Sequence, residues 1–339
     1  MARLPIYFVI DVSDSMVGAA LESVKKGLSL CFKSLQSDPY ALEIAFISVI
    51  TFASRVKRPL SMVEVYRCTE PELSVGSGSA LGKALDFLMD DMEENLLPET
   101  ADRKGDWRPF VFLFTDGYPT DDCRAAFERW NTRFKPRAEL AVLTTGRSAN
   151  LPLLREISDS IVELETRTFA SFFRDCFRCT GVEVSIDSIA DTRWRRLNVS
   201  ELLQQDKPVG RRVDSYRMQP ANNCVTLHAK CSTTHEHYII KFDRNADGDG
   251  YELSDSYPID IDRYEALSAQ GDTAFSIDAD LLDGNVTCPC CQNEIGFLKC
   301  GACGSIFCGT ASKFKFRCPW CGKSGRLVSE AISVKRTFG

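Results

Sequence analysis

Short apolar runs alternate with amphipathic segments over the first half of the chain. Residues 6–10 and 110–114 are continuous apolar runs, which is typical of strands buried on both faces. Apolar side chains recur at helical spacing between residues 19 and 35, and again between 81 and 97. Strands that alternate with helices form mostly parallel sheets with helices on both faces. This half therefore predicts a doubly wound, Rossmann-like α/β domain.

The pattern changes beyond this domain. Residues 183–220 are polar, rich in arginine and weakly periodic, which predicts a linker or a docking segment. Strand-like runs follow at 224–228 and 237–242, and cysteines dominate the end of the chain. We therefore predict an α/β domain over 1–182, the linker over 183–220, and a smaller β-rich domain over 221–339.

The overall composition narrows the class of protein. With 41 basic and 47 acidic residues, the formal net charge is −6, which argues against general binding to nucleic acid. No apolar run approaches the roughly 20 residues that span a bilayer, and the first residues show no secretory pattern. In such a chain, an odd total of 15 cysteines favours thiols and metal ligands over disulfides. We therefore expect a cytoplasmic protein.

Oxygen-bearing side chains follow the first buried run, in the segment Asp11-Val-Ser-Asp-Ser15. One carboxylate and two hydroxyls at a spacing of two suit Mg²⁺ or another hard divalent cation. Ser79 opens the second helix, and Asp116 ends the run at 110–114. In a doubly wound sheet these loops meet at the same edge as Asp11, where such folds bind ligands. The alternative is that the first segment only caps a helix.

Three motifs occur in order within residues 4–180: Asp-x-Ser-x-Ser, Gly-Ser-x-Leu-x-x-Ala-Leu and Thr-Asp-Gly. Together they resemble the von Willebrand factor A family. The resemblance implies a metal-ion-dependent adhesion site whose cation keeps one position open for an acidic side chain of a partner protein. The ligands that it implies are Asp11, Ser13, Ser15, Ser79 and Asp116. Ser79 stands where the family usually has threonine, and Ser77 is a less favoured substitute.

Three C-x-x-C pairs lie close together near the end of the chain. Two such pairs make a tetrahedral zinc site, which substitutes for a core too small to fold alone. The predicted zinc ligands are Cys288, Cys291, Cys300, Cys303, Cys308, Cys318 and Cys321. The last pair could join either of the first two, and Cys308 allows a second site completed by Cys290 or by a residue outside the cluster.

This cysteine pattern behind an A domain resembles the tellurium-resistance TerY proteins, whose C-terminal domain carries Cys-Pro-x-Cys and Cys-Pro-Trp-Cys-Gly. The resemblance implies an adaptor that acts with a Ser/Thr protein kinase and a PP2C-type phosphatase in bacterial stress or tellurite resistance. We therefore expect a non-enzymatic scaffold that docks a partner through a cation. The alternatives are a nucleic-acid-associated subunit of a repair or transcription complex and a metal-dependent phosphohydrolase that uses Asp11.

Two weaker patterns remain. His228, His235 and His237 could form another metal site, but exposed histidines on strands are the favoured interpretation. Residues 243–250 imitate the first half of an EF-hand loop, but Ser254 replaces the closing glutamate. A polar hairpin turn is therefore favoured there.

Overall fold

The computed structural model describes residues 2–144, 149–163, 224–245, 250–269, 276–309, 315–326 and 333–335. The predicted linker at 183–220 lies outside the described residues. Within the described residues, no helix combines the length and the apolar character needed to cross a membrane.

The N-terminal domain is a sheet of six strands covered by helices. Its strands are β1 Leu4–Asp11, β2 Ala45–Phe52, β3 Val56–Glu64, β4 Phe110–Phe114, β5 Glu139–Thr144 and β6 Ser160–Glu163. Its α-helices are α1 Ala19–Gln36, α2 Pro39–Ile44, α3 Leu81–Asn95, α4 Arg124–Arg129 and α5 Leu151–Leu154, and a π-helical turn at Trp130–Phe134 extends α4.

The strand order is β3-β2-β1-β4-β5-β6, and all neighbours are parallel except β2 and β3. The chain moves to one side of β1 first and then to the other, so the strand order reverses between β1 and β4. The doubly wound α/β prediction is confirmed. In such sheets, ligands bind beyond the carboxyl ends of the strands at this reversal.

Alternate residues of β1 enter two separate apolar layers. Ile6, Phe8 and Ile10 pack with α1, whereas Tyr7 and Val9 pack with α3. All five side chains are fully buried. Because successive side chains of a strand point to opposite faces, a continuous apolar run is required where both faces are covered.

The C-terminal module is built on a second sheet of six strands. Its strands are β7 Cys224–Lys230, β8 His237–Arg244, β9 Tyr251–Ile259, β10 Ser276–Asp278, β11 Leu282–Asp283, β12 Phe297–Lys299, β13 Ile306–Cys308, β14 Lys315–Arg317, β15 Ser324–Arg326 and β16 Ser333–Lys335, and its helix is α6 Ile261–Leu267. The large sheet has the order β11-β9-β8-β7-β13-β12, while β10 pairs with β16 and β14 with β15.

The two faces of β8 pack against different partners. Tyr238, Ile240 and Phe242 enter the core of the C-terminal module. Ile239, from the opposite face, joins the core of the N-terminal domain together with Tyr264 of α6. The second sheet therefore lies directly against the first domain.

Two short local features lie between the large strands. Strand β2 begins at Ala45, directly after the short helix α2. Asp38 caps that helix by accepting hydrogen bonds from the backbone N–H groups of Tyr40 and Ala41, and Pro39 occupies its first turn. Between β8 and β9, Asn245 N–H donates to Gly250 O at 3.0 Å, which confirms the hairpin, although residues 246–249 lie outside the described residues.

Candidate metal sites

Asp11 is the centre of a hydrogen-bonded cluster at the carboxyl ends of β1 and β4. Its Oδ1 accepts from the backbone N–H of Ser13 at 3.0 Å. Its Oδ2 accepts from the hydroxyls of Ser79 and Thr115, both at 2.8 Å. Since Ser79 donates directly to Asp11, the structure favours the hydroxyl at this position over the alternative at Ser77.

The remaining predicted ligands complete the same cluster. The hydroxyl oxygens of Ser13 and Ser15 are 3.0 Å apart, and Ser15 also hydrogen-bonds to Asp116. Asp116 Oδ1 accepts from the backbone N–H of Tyr118 at 3.2 Å. The structure therefore brings together all five residues that the sequence selected. Thr115 is an additional member that the sequence analysis missed, although it directly precedes Asp116.

The helix-capping alternative is not supported by the local geometry. Ser13 precedes a single 3₁₀ turn, Asp14–Met16, and its side chain makes no capping hydrogen bond to that turn. Helix α1 begins later, behind Gly18. The hydroxyls of this segment point instead toward the neighbouring loops.

The electrostatics of the cluster favour a bound cation. Burial, followed in size by the nearby negative charge of Asp116, raises the pKa of Asp11 to about 7. Burial also raises the pKa of Asp116. Two adjacent buried carboxylates destabilise each other when both are ionised, and a divalent cation between them removes that penalty. Two acids and three hydroxyls also fit Mg²⁺, which prefers few charged ligands and retained waters.

A glycine shapes the second loop of this cluster. Gly78 has a φ of +73°, a conformation that favours glycine. A Cβ at this position would also meet the Ser54 hydroxyl. The turn can therefore place Ser79 against Asp11 only with glycine before it.

Four cysteines form one sulfur cluster between the last two C-x-x-C pairs: Cys300, Cys303, Cys318 and Cys321. We name this cluster the second zinc site. The Sγ atoms of Cys300 and Cys321 are 3.8 Å apart, as are those of Cys303 and Cys318. Tetrahedral zinc with Zn–S bonds of about 2.3 Å separates its sulfur atoms by about 3.8 Å. The second zinc site therefore matches zinc without rearrangement.

Another group of four, which we name the first zinc site, consists of Cys231, Cys288, Cys291 and Cys308. Cys308 Sγ lies 3.9 Å from Cys291 Sγ and 4.0 Å from Cys231 Sγ. The ligand that the sequence left open is therefore Cys231 at the end of β7, whereas Cys290 belongs to neither group. The interpretation that pairs the first and last C-x-x-C motifs is wrong, because β13 brings Cys308 beside β7.

Cys231 begins a turn with the same backbone as the three C-x-x-C turns. In each, the cysteine N–H donates to the carbonyl five residues later, and its own carbonyl accepts from the N–H four residues later. In all four, the residue four positions after the cysteine has a positive φ: His235, Gln292, Gly304 and Gly322. Non-glycine residues rarely adopt this conformation, so the turn at Cys231 is a zinc-binding knuckle hidden behind an unusual sequence.

Backbone and hydroxyl donors stabilise a thiolate in each cluster. Burial would raise the pKa of Cys231, but hydrogen bonds from Thr234 and from the N–H of Thr233 lower it to about 6. Burial would also raise the pKa of Cys303, but hydrogen bonds from Ser305 lower it to about 6. Since thiolates are the form that binds zinc, both clusters are prepared for metal.

Family comparisons agree with this division of the chain. The von Willebrand factor type A domain matches residues 6–171, and the TerY-C metal binding domain matches residues 221–339. The chain has a TerY-like architecture. No match to the sequence was found among curated proteins.

Solved structures resemble the N-terminal half of this TerY-like chain. BatB from Bacteroides thetaiotaomicron is 16% identical, with a TM-score of 0.35, over 52% of this chain and 98% of that protein. The pilus adhesin SpaC from Lactobacillus rhamnosus GG is 12% identical, with a TM-score of 0.41, over 52% of this chain and 29% of SpaC. Proximal thread matrix protein 1 from the mussel byssus is 14% identical, with a TM-score of 0.37, over 52% of this chain and 46% of that protein.

The histidines do not behave as exposed strand residues. His228 Nε2 and His237 Nδ1 are 2.9 Å apart, and both rings pack edge-on against Trp320. His228 also packs against Tyr264, with ring centroids 5.3 Å apart. The expectation of exposed histidines is wrong for these two, because their face of the second sheet is covered. Only His235 is exposed.

Proposed function

We propose that this TerY-like protein is a non-enzymatic scaffold that docks a partner protein through Mg²⁺ at the Asp11–Asp116 site. The observation that carries the proposal is the convergence of two acids and three hydroxyls at the reversal of the strand order. Mg²⁺ demands octahedral coordination, so two carboxylates and three hydroxyls leave one position open for a carboxylate from outside. The partner residue is therefore an aspartate or a glutamate.

The chemistry of the Asp11–Asp116 cluster supports a docking role. Its side-chain hydrogen bonds join acids and hydroxyls, and His228 packs against Tyr264 outside this cluster. Catalysis of hydrolysis at a metal usually requires a positioned general base or acid. In this proposal the two zinc sites stabilise the C-terminal module, and the partners are a Ser/Thr kinase or a PP2C-type phosphatase of a bacterial stress or tellurite-resistance system.

The test compares partner capture by wild type and by Asp116→Ala, each with and without Mg²⁺. The zinc content of every sample is measured, because a general chelator would also remove zinc from the cysteine sites. The matched control is Asp122→Ala, which removes an exposed acid of the same loop that pairs with Arg124. We expect a kinase or phosphatase to be captured by wild type and by the control in Mg²⁺ only, with at least about ten-fold less bound to Asp116→Ala.

Capture that persists at full strength in Asp116→Ala without Mg²⁺ contradicts the proposal. Isothermal titration with Mg²⁺ alone provides a second measurement. Heat of binding in wild type and Asp122→Ala, but not in Asp116→Ala, supports the cation site independently of any partner.

A further inference from the structure

The C-terminal module hydrogen-bonds to two of the three loops that form the cation site, and it places a lysine near the third. On the first loop, the Tyr264 hydroxyl donates to Asp14 Oδ2 at 3.0 Å, and both residues are buried. On the second loop, the backbone N–H of Ser77 donates to Ser268 Oγ at 2.9 Å. These two contacts come from α6 and from the residue that follows it.

Lys241 of β8 acts electrostatically on Asp116 of the third loop. Its side chain is only 13% exposed, and its positive charge lowers the pKa of Asp116 against the effect of burial. Asp243 lies 3.7 Å from the same ammonium group. The C-terminal module therefore brings a positive charge near Asp116, one of the two carboxylates that would hold the metal.

This contact leaves the cluster with little access to solvent. Asp11, Ser13, Asp14 and Ser79 are 0% exposed, and Ser15 is 6% exposed. The turn Asp14–Met16 lies against β7 and β8, so the second sheet covers the first loop directly. Asp116 alone keeps partial exposure. A carboxylate on another protein needs an open path to the metal, which this arrangement does not provide.

From these contacts we propose that the C-terminal module is a cover for the cation site and must move before a partner's acidic side chain can reach the metal. The inference rests on the proposed docking function and adds its regulation. Lys241 also makes closure of the cover sensitive to the metal, because an ammonium group and a divalent cation near the same carboxylate, Asp116, repel each other. Binding of the metal therefore favours the open position of the module. By thermodynamic linkage, closure of the module weakens metal binding by the same factor.

One side of the interface is polar and incompletely filled, whereas on the other side residues of β8 and α6 pack into the apolar layer of the N-terminal domain. A cavity of about 330 Å³ remains between the N-terminal domain and β9–α6, with Lys25, Glu72, Tyr257 and Arg263 among its lining residues. Polar groups cross it in pairs: Lys25 Nζ donates to the Tyr257 hydroxyl at 3.0 Å, and Arg263 pairs with Glu72. An interface with a polar, incompletely filled side separates at lower cost than a packed core.

The test opens the cover without changing any charge. The double variant Tyr264→Phe/Ser268→Ala removes the two hydroxyls that bond to Asp14 and to Ser77. The matched control Tyr251→Phe/Ser256→Ala removes one tyrosine hydroxyl and one serine hydroxyl within the same module. The Ser256 hydroxyl donates to Thr287 O. Hydrogen exchange of residues 11–17 and 76–79 is measured on the zinc-loaded full chain without Mg²⁺. We expect exchange at least about five-fold faster in the double variant only, the lower end of ordinary coupling between sites.

Mn²⁺ then serves as the metal probe. Its affinity is measured by electron paramagnetic resonance, and the number of exchangeable waters on bound Mn²⁺ by proton relaxation. We expect the double variant to bind Mn²⁺ at least about five-fold more tightly and with more exchangeable water than wild type or the control. If hydrogen exchange, Mn²⁺ affinity and the number of exchangeable waters are all unchanged in the double variant, the proposal that the module covers the site is wrong. If Asp116→Ala binds Mn²⁺ as tightly as wild type, the proposed cation site fails, and hydrogen exchange alone still decides whether the module covers these loops.

Discussion

The two metal-binding regions of this molecule differ in how their ligands relate to the hydrophobic core. In the N-terminal domain, the predicted Mg²⁺ ligands stand at the edge of a sheet that already has an apolar layer on each face. In the C-terminal module, Cys231, Cys288 and Cys308 are themselves members of the buried core. A metal that binds at the edge of an already packed core can be exchanged while the domain stays folded. A metal whose ligands belong to the core cannot leave without unfolding that core.

Strand length shows the same contrast. β1 and β2 each contain eight residues, whereas β12 to β16 contain three residues each. Isolated pairs of such short strands are marginal in water. A metal held by the two cysteine clusters would therefore supply, in the cysteine-rich part, the stability that side-chain packing supplies in the N-terminal domain.

Removal of zinc is the strongest way to test this contrast. A high-affinity zinc chelator should unfold the C-terminal module and leave the N-terminal sheet folded, because structural zinc contributes about 10–16 kcal/mol to small domains. Elemental analysis should first show two zinc ions per chain, as the two cysteine clusters predict. Hydrogen exchange then measures each module separately. Loss of protection in β1 and β4 to the same extent as in β7 and β8 would contradict the proposed division.

A core substitution in the N-terminal domain should have the reverse effect. Phe8 is fully buried and stacks on Phe112, with ring centroids 5.6 Å apart. Phe8→Ala should lower the free energy of unfolding of this domain by about 3–5 kcal/mol through the cavity it leaves. The control is Leu30→Ala on α1, where the side chain is 45% exposed. Urea unfolding measures the change, and zinc content should stay at two per chain in both variants; zinc loss from Phe8→Ala would show that the modules depend on each other.

The smallest effect concerns the histidine pair of the C-terminal module. Burial, followed in size by the proximity of His237, lowers the pKa of His228 to about 4. The folded state therefore keeps this ring neutral, while the unfolded chain takes up a proton below its ordinary pKa near 6.5. Stability is complete above that pH and is lost as the pH falls, by about 2 kcal/mol between pH 7 and pH 5.

His228→Phe should remove most of this loss, as measured by urea unfolding at the two pH values. His235→Asn, in the exposed turn after β7, is the control, since asparagine tolerates its positive φ of 63°. An equal loss of stability with falling pH in wild type and His228→Phe would assign the effect to other groups.

The members of the predicted cation cluster are placed by local patterns in the sequence. Asp11 and Asp116 each end a buried apolar run, and a doubly wound sheet brings such ends together. Ser79 was found because it follows a glycine and opens a helix. Thr115 was missed since a hydroxyl at the end of a strand is common, and only its bond to Asp11 reveals its role.

Contacts between distant segments could not be predicted in this way. Cys231 stands alone in the sequence, and its place in the first zinc site depends on the pairing of β7 with β13. The contact between Tyr264 and Asp14 joins residues that are 250 positions apart. Periodicity carries information on which face of an element is buried, but not on which element covers it.

The zinc link between Cys231 and Cys308 has a consequence for the order of events on the ribosome. The two cysteines are 77 positions apart, so the first zinc site cannot close until most of the C-terminal module has been synthesised. The six described strands of the N-terminal sheet precede residue 164, although Ile239 and Tyr264 later join its apolar layer. Because domains generally fold as units from the N-terminus during synthesis, the N-terminal sheet should form before β13 is available to pair with β7.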